Sequence, residues 1–254
     1  MGNRQSSPRP MNRPLLVESM VTSLNEASDR QQELAPMHQA PAQSTARTAM
    51  QALREGVANS CIVIASSITT IEAARQFAMN GRDVARLLLD GTLNGQDLRT
   101  ETNRLVREAS TTYTALKSYK DDLCGLRSTL NELHVESKKT VTLLYNASRT
   151  SFFRSLWESR EERENRESDK RDYDLVRSGD QAVETLRKFL DCVVNWLNDA
   201  ESDVKYIENS LKHYRRGDNI RANGMATKFA TLCDELPQYQ TAVQEYRDKS
   251  LQLH

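Results

Sequence analysis

From Ala42 to Leu236 the chain runs for 195 residues without a proline. Five of its six prolines lie at or before Pro41, and the sixth is Pro237. A proline inside a helix costs about 3 kcal/mol, through a lost backbone donor and a ring clash, so a proline-free tract of this length is what long helices require. Glycines mark the breaks within it: Gly91 and Gly95 in "DGTLNG", Gly179 in "RSGD" and Gly217 in "RRGDN". Gly125 falls inside a helical pattern and is tolerated there.

Apolar residues then recur in alternating steps of four and three. One register runs Leu105, Ala109, Thr112, Leu116, Tyr119, Leu123, Leu126, Leu130, Leu133, Ser137, Thr140, Leu144, Ala147. A second runs from Val183 through Leu190, Leu197 and Val204 to Tyr214, and a third from Met225 through Phe229 and Leu236 to Tyr246, with Pro237 as a kink or break. Such spacing gives each helix one apolar stripe and coiled-coil-like packing. No stretch alternates with a period of two, so strands are not expected. The composition agrees: 38% hydrophobic and 28% charged suits long helices that bury one stripe and solvate the rest. The expected fold is all-α, an elongated up-and-down helical bundle over residues 42–254. Its helices should lie near 43–90, 96–150, 180–215 and 219–254, with short turns at 91–95 and 215–219.

The first long helix has an unusual stripe: Met50, Leu53, Val57, Ser60, Ile64, Ser67, Ile71, Ala74, Ala78, Gly81, Ala85, Leu88. Ser60, Ser67, Ala74 and Gly81 put a small side chain at one core position per heptad, which lets a partner helix approach closely. The favoured reading is a tight antiparallel pair inside the bundle. The rival reading is a conditional membrane segment, Val57 to Met79, since small residues also pack helices in lipid. That stretch carries Glu72 and Arg75, and its uncharged part is short for a membrane span, which needs about 20 mainly apolar residues.

Between the second and third long helices, Glu158 to Arg177 is a mixed-charge segment without an apolar stripe until Leu175; its charges at i,i+4 can hold a solvated helix, and it is read as a protruding hairpin tip or a mobile loop. Just before it, "SFFRSLW" gathers Phe152, Phe153 and Trp157, a candidate partner contact or a cap on the bundle's end.

Residues 1–41 read as a flexible arm containing proline and arginine, with a short amphipathic helix over 15–34 that docks on the bundle or lies on a membrane. The arm opens "MGNRQSSPRP". Met1-Gly2, three further residues and Ser6 satisfy the N-myristoylation pattern. The opening resembles those of myristoylated signalling and calcium-sensor proteins; that likeness covers six residues and implies acylation of Gly2, not a shared fold. One myristoyl chain binds membranes only marginally. Arg4, Arg9 and Arg13, with no acid before Glu18, would supply the second signal toward an anionic leaflet.

Other chemistry is sparse. Lys plus Arg equals Asp plus Glu, 35 each, so no global field favours nucleic acid. Cys61, Cys124, Cys192 and Cys233 stand apart, without a CxxC pair, and read as buried free thiols in a reducing compartment. The four histidines form no chelating pair, and there is no P-loop, GxSxG or HExxH, so no metal, cofactor or catalytic residue is expected. Arg216-Gly217-Asp218 spells an integrin-type tripeptide but falls in an expected turn. No apolar leader for secretion is visible at the N-terminus. The expectation is a non-enzymatic interaction protein on the cytoplasmic face of a membrane, a scaffold, adaptor or effector with protein partners and self-association as options. The alternative is a pore-forming or membrane-remodelling protein that uses Val57–Met79.

Overall fold

The computed structural model describes residues 13–34, 44–148 and 159–251. Five helices account for them: α1 (Arg13–Leu34), α2 (Ser44–Asp90), α3 (Gly95–Ser148), α4 (Arg160–Lys212) and α5 (Asn219–Leu251). No strand occurs among the described residues. The fold is an all-α bundle of long helices. At 1.5 Å per residue the 54 residues of α3 span about 80 Å.

Cross-contacts fix the topology. Gly56 of α2 lies against Leu133 of α3, and Gly81 of α2 against Phe229 of α5. Lys120 of α3 reaches Glu201 of α4, and Arg127 reaches Asp191. Lys228 of α5 reaches Asp203 of α4. Each sequential pair of long helices therefore runs antiparallel, and α2 also pairs with α5. The central helix is α4, which packs against all four others. Its buried face is correspondingly broad, taking in Ala182, Val183, Thr185, Leu186, Phe189 and Leu190.

The expected stripes are the core. All twelve stripe residues of α2, from Met50 to Leu88, are buried. So are Met225, Phe229, Leu232, Leu236, Tyr239, Val243 and Tyr246 on α5, which continues helical through Pro237. The flanking Leu236 and Tyr239 are anchored in the core, and they hold the chain helical across a residue that was expected to kink or end it. On α3 the stripe holds from Leu105 to Leu130 and then loosens: Leu133 and Thr140 are half-buried and Ala147 is exposed.

The turns follow the glycines. Gly91 (φ 63°) and Gly217 (φ 85°) adopt the left-handed conformation that side chains disfavour. After α2, Thr92 N–H donates to the Leu87 carbonyl across Gly91, a Schellman closure. Asn94 caps α3 by accepting from the N–H groups of Gln96 and Asp97, and Asp218 caps α5 by accepting from Arg221 N–H.

Two expectations change. The charged segment 158–177 is not a loop, and the helix that follows does not start near 180: of the readings open to it, the solvated helix holds. Helix α4 already begins at Arg160. Ser159 accepts from Glu162 N–H while the Glu162 carboxylate accepts from Ser159 N–H, a reciprocal capping box. Arg160 then pairs with Glu164 one turn on, at 2.9 Å. Farther along, Asp172, Val176 and Gly179 are buried, so this half of α4 belongs to the core as well as the surface. The first residues of α4, Ser159 to Asn165, are exposed.

The second change concerns the segment 15–34, which is not part of a free arm. As α1 it packs against α4 and α5 and buries Val17, Met20, Leu24 and Ala27. Asp29 pairs with Lys249 and Arg30 bonds Gln181. Of the two placements open to this helix, the bundle holds it.

Candidate functional site

Most residues singled out in the sequence as membrane or partner contacts, namely Gly2, Arg4, Arg9, Phe152, Phe153 and Trp157, lie outside the described residues. Arg13 is the first residue of α1. The described part of the molecule offers three regions with chemistry of their own: a tyrosine–tryptophan centre, a polar cluster between α3 and α4, and the outer face of α2.

The tyrosine–tryptophan centre sits where all four long helices meet. Tyr119 and Tyr239 share a hydroxyl–hydroxyl hydrogen bond of 2.7 Å, fully buried. The Trp196 ring stacks on Tyr239, centroids 5.2 Å apart, and its indole N–H donates to Glu235 at 3.0 Å. Ser67 of α2 lies beside both phenols, its hydroxyl donating to the Ile64 carbonyl at 2.7 Å. Nearby, the Cys61 thiol donates to the Tyr246 hydroxyl at 3.3 Å. These contacts satisfy polar groups that would otherwise be costly to bury. Burial pushes the Tyr239 phenol up to about 12 and the Tyr119 phenol well above its ordinary value. A phenol whose folded-state pKa lies above its unfolded value stabilises the fold fully below about pH 10, and that contribution is lost as pH climbs toward 12. The bundle is therefore expected to weaken steeply between about pH 10 and 12. This pair should ionise only with unfolding. Absorbance titration at alkaline pH checks this; a pair that ionises near pH 10 in the folded protein would contradict it.

The polar cluster lies between α3 and α4. His134 turns Nδ1 to Asp180 (2.8 Å) and Nε2 to Glu184 (3.2 Å), two carboxylates one turn apart on α4. The Ser137 hydroxyl donates to Asp180, and Arg187 joins Glu184 (2.5 Å) to Asn131 (2.5 Å). The residue types are those of hydrolytic triads, but the connectivity is not. The serine hydroxyl bonds the acid and the His134 carbonyl, whereas a nucleophile must bond the imidazole that deprotonates it. The arrangement registers α3 against α4. Replacing His134 by leucine should cost about 2 kcal/mol by stranding carboxylates in a half-buried seam, and urea titration measures it.

On α2 the Val57–Met79 stretch divides by face. Its stripe lies in the core, as above. From Gly56 to Ile71 no residue is charged, so the outward face over this length carries Asn59, Ile62, Ser66 and Thr69, with Ala73 and Gln76 beyond. Ile62 is 70% exposed. Beside this face, Ile68, Thr69, Glu72, Ala73, Gln76 and Gln240 line an open groove of about 570 Å³. Among the described residues, α2 is the one helix long and apolar enough to cross a membrane by length and composition.

Smaller motifs resolve simply. In the Arg216-Gly217-Asp218 turn the Asp218 carboxylate caps α5 and pairs with Arg221 at 2.6 Å. The acid is thereby engaged within its own turn. The cysteines were expected to be buried, but Cys61, Cys192 and Cys233 are half-buried and Cys124 is exposed, because all four sit beside the stripes rather than on them. Burial pushes the Cys192 and Cys233 thiols up. Among the described residues no group of three or more His, Cys, Asp or Glu side chains is arranged to hold a metal ion. The sequence matches no protein-family model, and no curated protein is significantly similar to it.

Proposed function

We propose that the chain is a non-enzymatic interaction protein: a helical bundle held on the cytoplasmic face of a membrane by an acyl chain on Gly2 and by Arg4, Arg9 and Arg13, with outer helix faces offered to protein partners. One observation carries this reading. The apolar stripes of α2 and α5, that of α4 as far as Leu211 and that of α3 from Leu105 to Leu130 are engaged inside the bundle. The body therefore needs no lipid to satisfy its helices, and attachment falls to the arm. A single myristoyl chain anchors marginally, and three arginines at about 1 kcal/mol each would strengthen binding roughly a hundredfold at low salt.

The test is fractionation of cells that express the full chain. Gly2→Ala should move the protein from membranes to the soluble fraction while the circular dichroism of the purified chain stays helical. Replacing Arg4, Arg9 and Arg13 by glutamine should give a partial loss, which added salt reproduces in the parent protein. A Gly2→Ala variant that stays on membranes would overturn the proposal.

A second reading is favoured by α2 alone, through its length and apolar composition. In a pore-forming protein, Val57–Met79 would leave the bundle and enter lipid. That step would strip α3 and α5 of their largest contacts with α2, at a cost of about 25 cal/mol per Å² of apolar surface exposed. Dye release from liposomes separates the two: flotation without leakage supports the tether, and leakage supports the pore.

A further inference from the structure

The outer face of α2 carries a second row at alternating four and three spacing: Asn59, Ile62, Ser66, Thr69, Ala73, Gln76. All six are exposed, and none is charged. The buried stripe of the same helix has this spacing because it packs against neighbouring helices. Among the described residues, no other helix covers this outer row.

We infer that this row is a self-association seam, in which α2 of one copy lies antiparallel to α2 of a second copy across a two-fold axis between Ser67 and Ile68. The steps of the row read 3-4-3-4-3, a sequence unchanged by reversal, so an antiparallel two-fold maps the row onto itself. Asn59 falls opposite the partner's Gln76, Ile62 opposite the partner's Ala73, and Ser66 opposite the partner's Thr69. Amide meets amide, hydroxyl meets hydroxyl, and the one large apolar side chain meets the smallest.

The groove beside the row supplies an independent reason. Thr69, Glu72, Ala73 and Gln76 stand at i, i+3, i+4 and i+7, the four positions that form a hole for a knob on a facing helix. The two-fold puts Ile62 of the second copy over Ala73, at the centre of that hole, and puts a second such contact at the symmetric place. The one charge in the wall is already neutralised: Glu72 accepts from Gln240 at 2.9 Å and pairs with Arg75 at 3.3 Å. The ends of the helix are complementary as well. Arg47 and Asp90 are exposed near opposite ends of α2, and the antiparallel arrangement brings one near the other across copies.

The Ser66 and Thr69 hydroxyls already donate to the Val63 and Ser66 carbonyls of their own helix, and Gln76 donates to Asn80. A second copy still suits this face better than lipid, because the Asn59 amide and the remaining hydrogen-bonding capacity of Gln76 meet across the two-fold and would meet only hydrocarbon in a bilayer. The apolar part of the seam is short beside the roughly 800 Å² per partner of a standard interface, so the free chain should dimerise weakly, with a dissociation constant of about 10–100 μM. If the tethering reading above holds, confinement to a membrane raises the local concentration and favours the pair.

Sedimentation of the full, non-acylated chain from about 1 to 500 μM tests the seam without any membrane. A reversible monomer–dimer equilibrium is expected. Ile62→Glu should weaken it at least tenfold while the helical signal is unchanged, since Ile62 is 70% exposed and holds no part of the core. Ile220→Glu, at an exposed site on α5 away from the seam, should leave it intact. Ser66→Cys should join two chains on oxidation, and Arg86→Cys, far from the axis, should not. A chain monomeric at every concentration, a dimer indifferent to Ile62→Glu, or a monomer that instead binds neutral phospholipid vesicles through Ile62 would each overturn the inference. None of these results bears on whether Gly2→Ala releases the protein from cell membranes.

Discussion

Replacing Leu197 by aspartate is expected to lower the stability of the bundle by about 4 kcal/mol or more. Leu197 lies on α4, the helix that contacts all the others, and it is fully buried. The substitution removes its apolar contacts and places a carboxylate where water cannot reach. Val193, Ala200 and Val204 lie a turn or two away on the same stripe and offer no hydrogen bond to the new group. Domains of this kind hold only about 5–15 kcal/mol in total, so the variant should sit near the edge of folding. Urea unfolding followed by circular dichroism measures the loss. Leu143→Asp is the matched control, since Leu143 on α3 is 60% exposed and its replacement should shift stability by no more than about 0.5 kcal/mol. Equal effects at the two sites would refute the register of the core.

The second large effect is expected at Gly81, where α2 and α5 approach. A β-carbon there would overlap the ring of Phe229. That ring cannot simply swing away, because it stands edge-on to Phe77 at 5.3 Å and is itself fully buried. Gly81→Leu should therefore cost about 3 kcal/mol through overpacking, despite the higher helix propensity of leucine. The cause is testable by a pair of substitutions. Phe229→Ala alone should also destabilise, by about 3–5 kcal/mol, through a cavity. Together with Gly81→Leu it should cost less than the sum of the two, because the leucine enters the space the ring leaves. Strict additivity would mean that the two residues do not meet.

The stripes were legible because their spacing is local. A residue's place in a 4-3 row can be read from its own helix, and this located the core of α2 and α5 almost residue by residue. On α3 the row runs one step too far, from buried Leu144 to exposed Ala147, because spacing alone cannot report where the neighbouring helices stop covering it. The start of α4 is not legible in the spacing, because the charged segment carries no apolar stripe before Leu175. The reciprocal Ser159–Glu162 cap, visible in the letters, would have placed it. The docking of α1 depended on which surface its Met20–Leu24 face would meet, and nothing within twenty residues specifies that.

The interior chemistry was less legible still. Trp196 meets Glu235 and Tyr239, His134 meets Asp180 and Glu184, and Tyr119 meets Tyr239. Each pair joins different helices, so its register exists only after the bundle has assembled. His134 and Trp196 also sit one place off the rows, at positions that a four-helix crossing buries and a simple two-helix seam would expose. The groove on the outer face of α2 has the same origin, since Gln240 of α5 completes it.

The most direct test of the account is the chemical state of Gly2 in the native protein. Mass spectrometry of the N-terminal peptide, from protein isolated from its own cells, should show Met1 removed and a fourteen-carbon acyl group in amide linkage to Gly2. A peptide that begins with a free or acetylated residue would contradict the tether and return the membrane question to Val57–Met79.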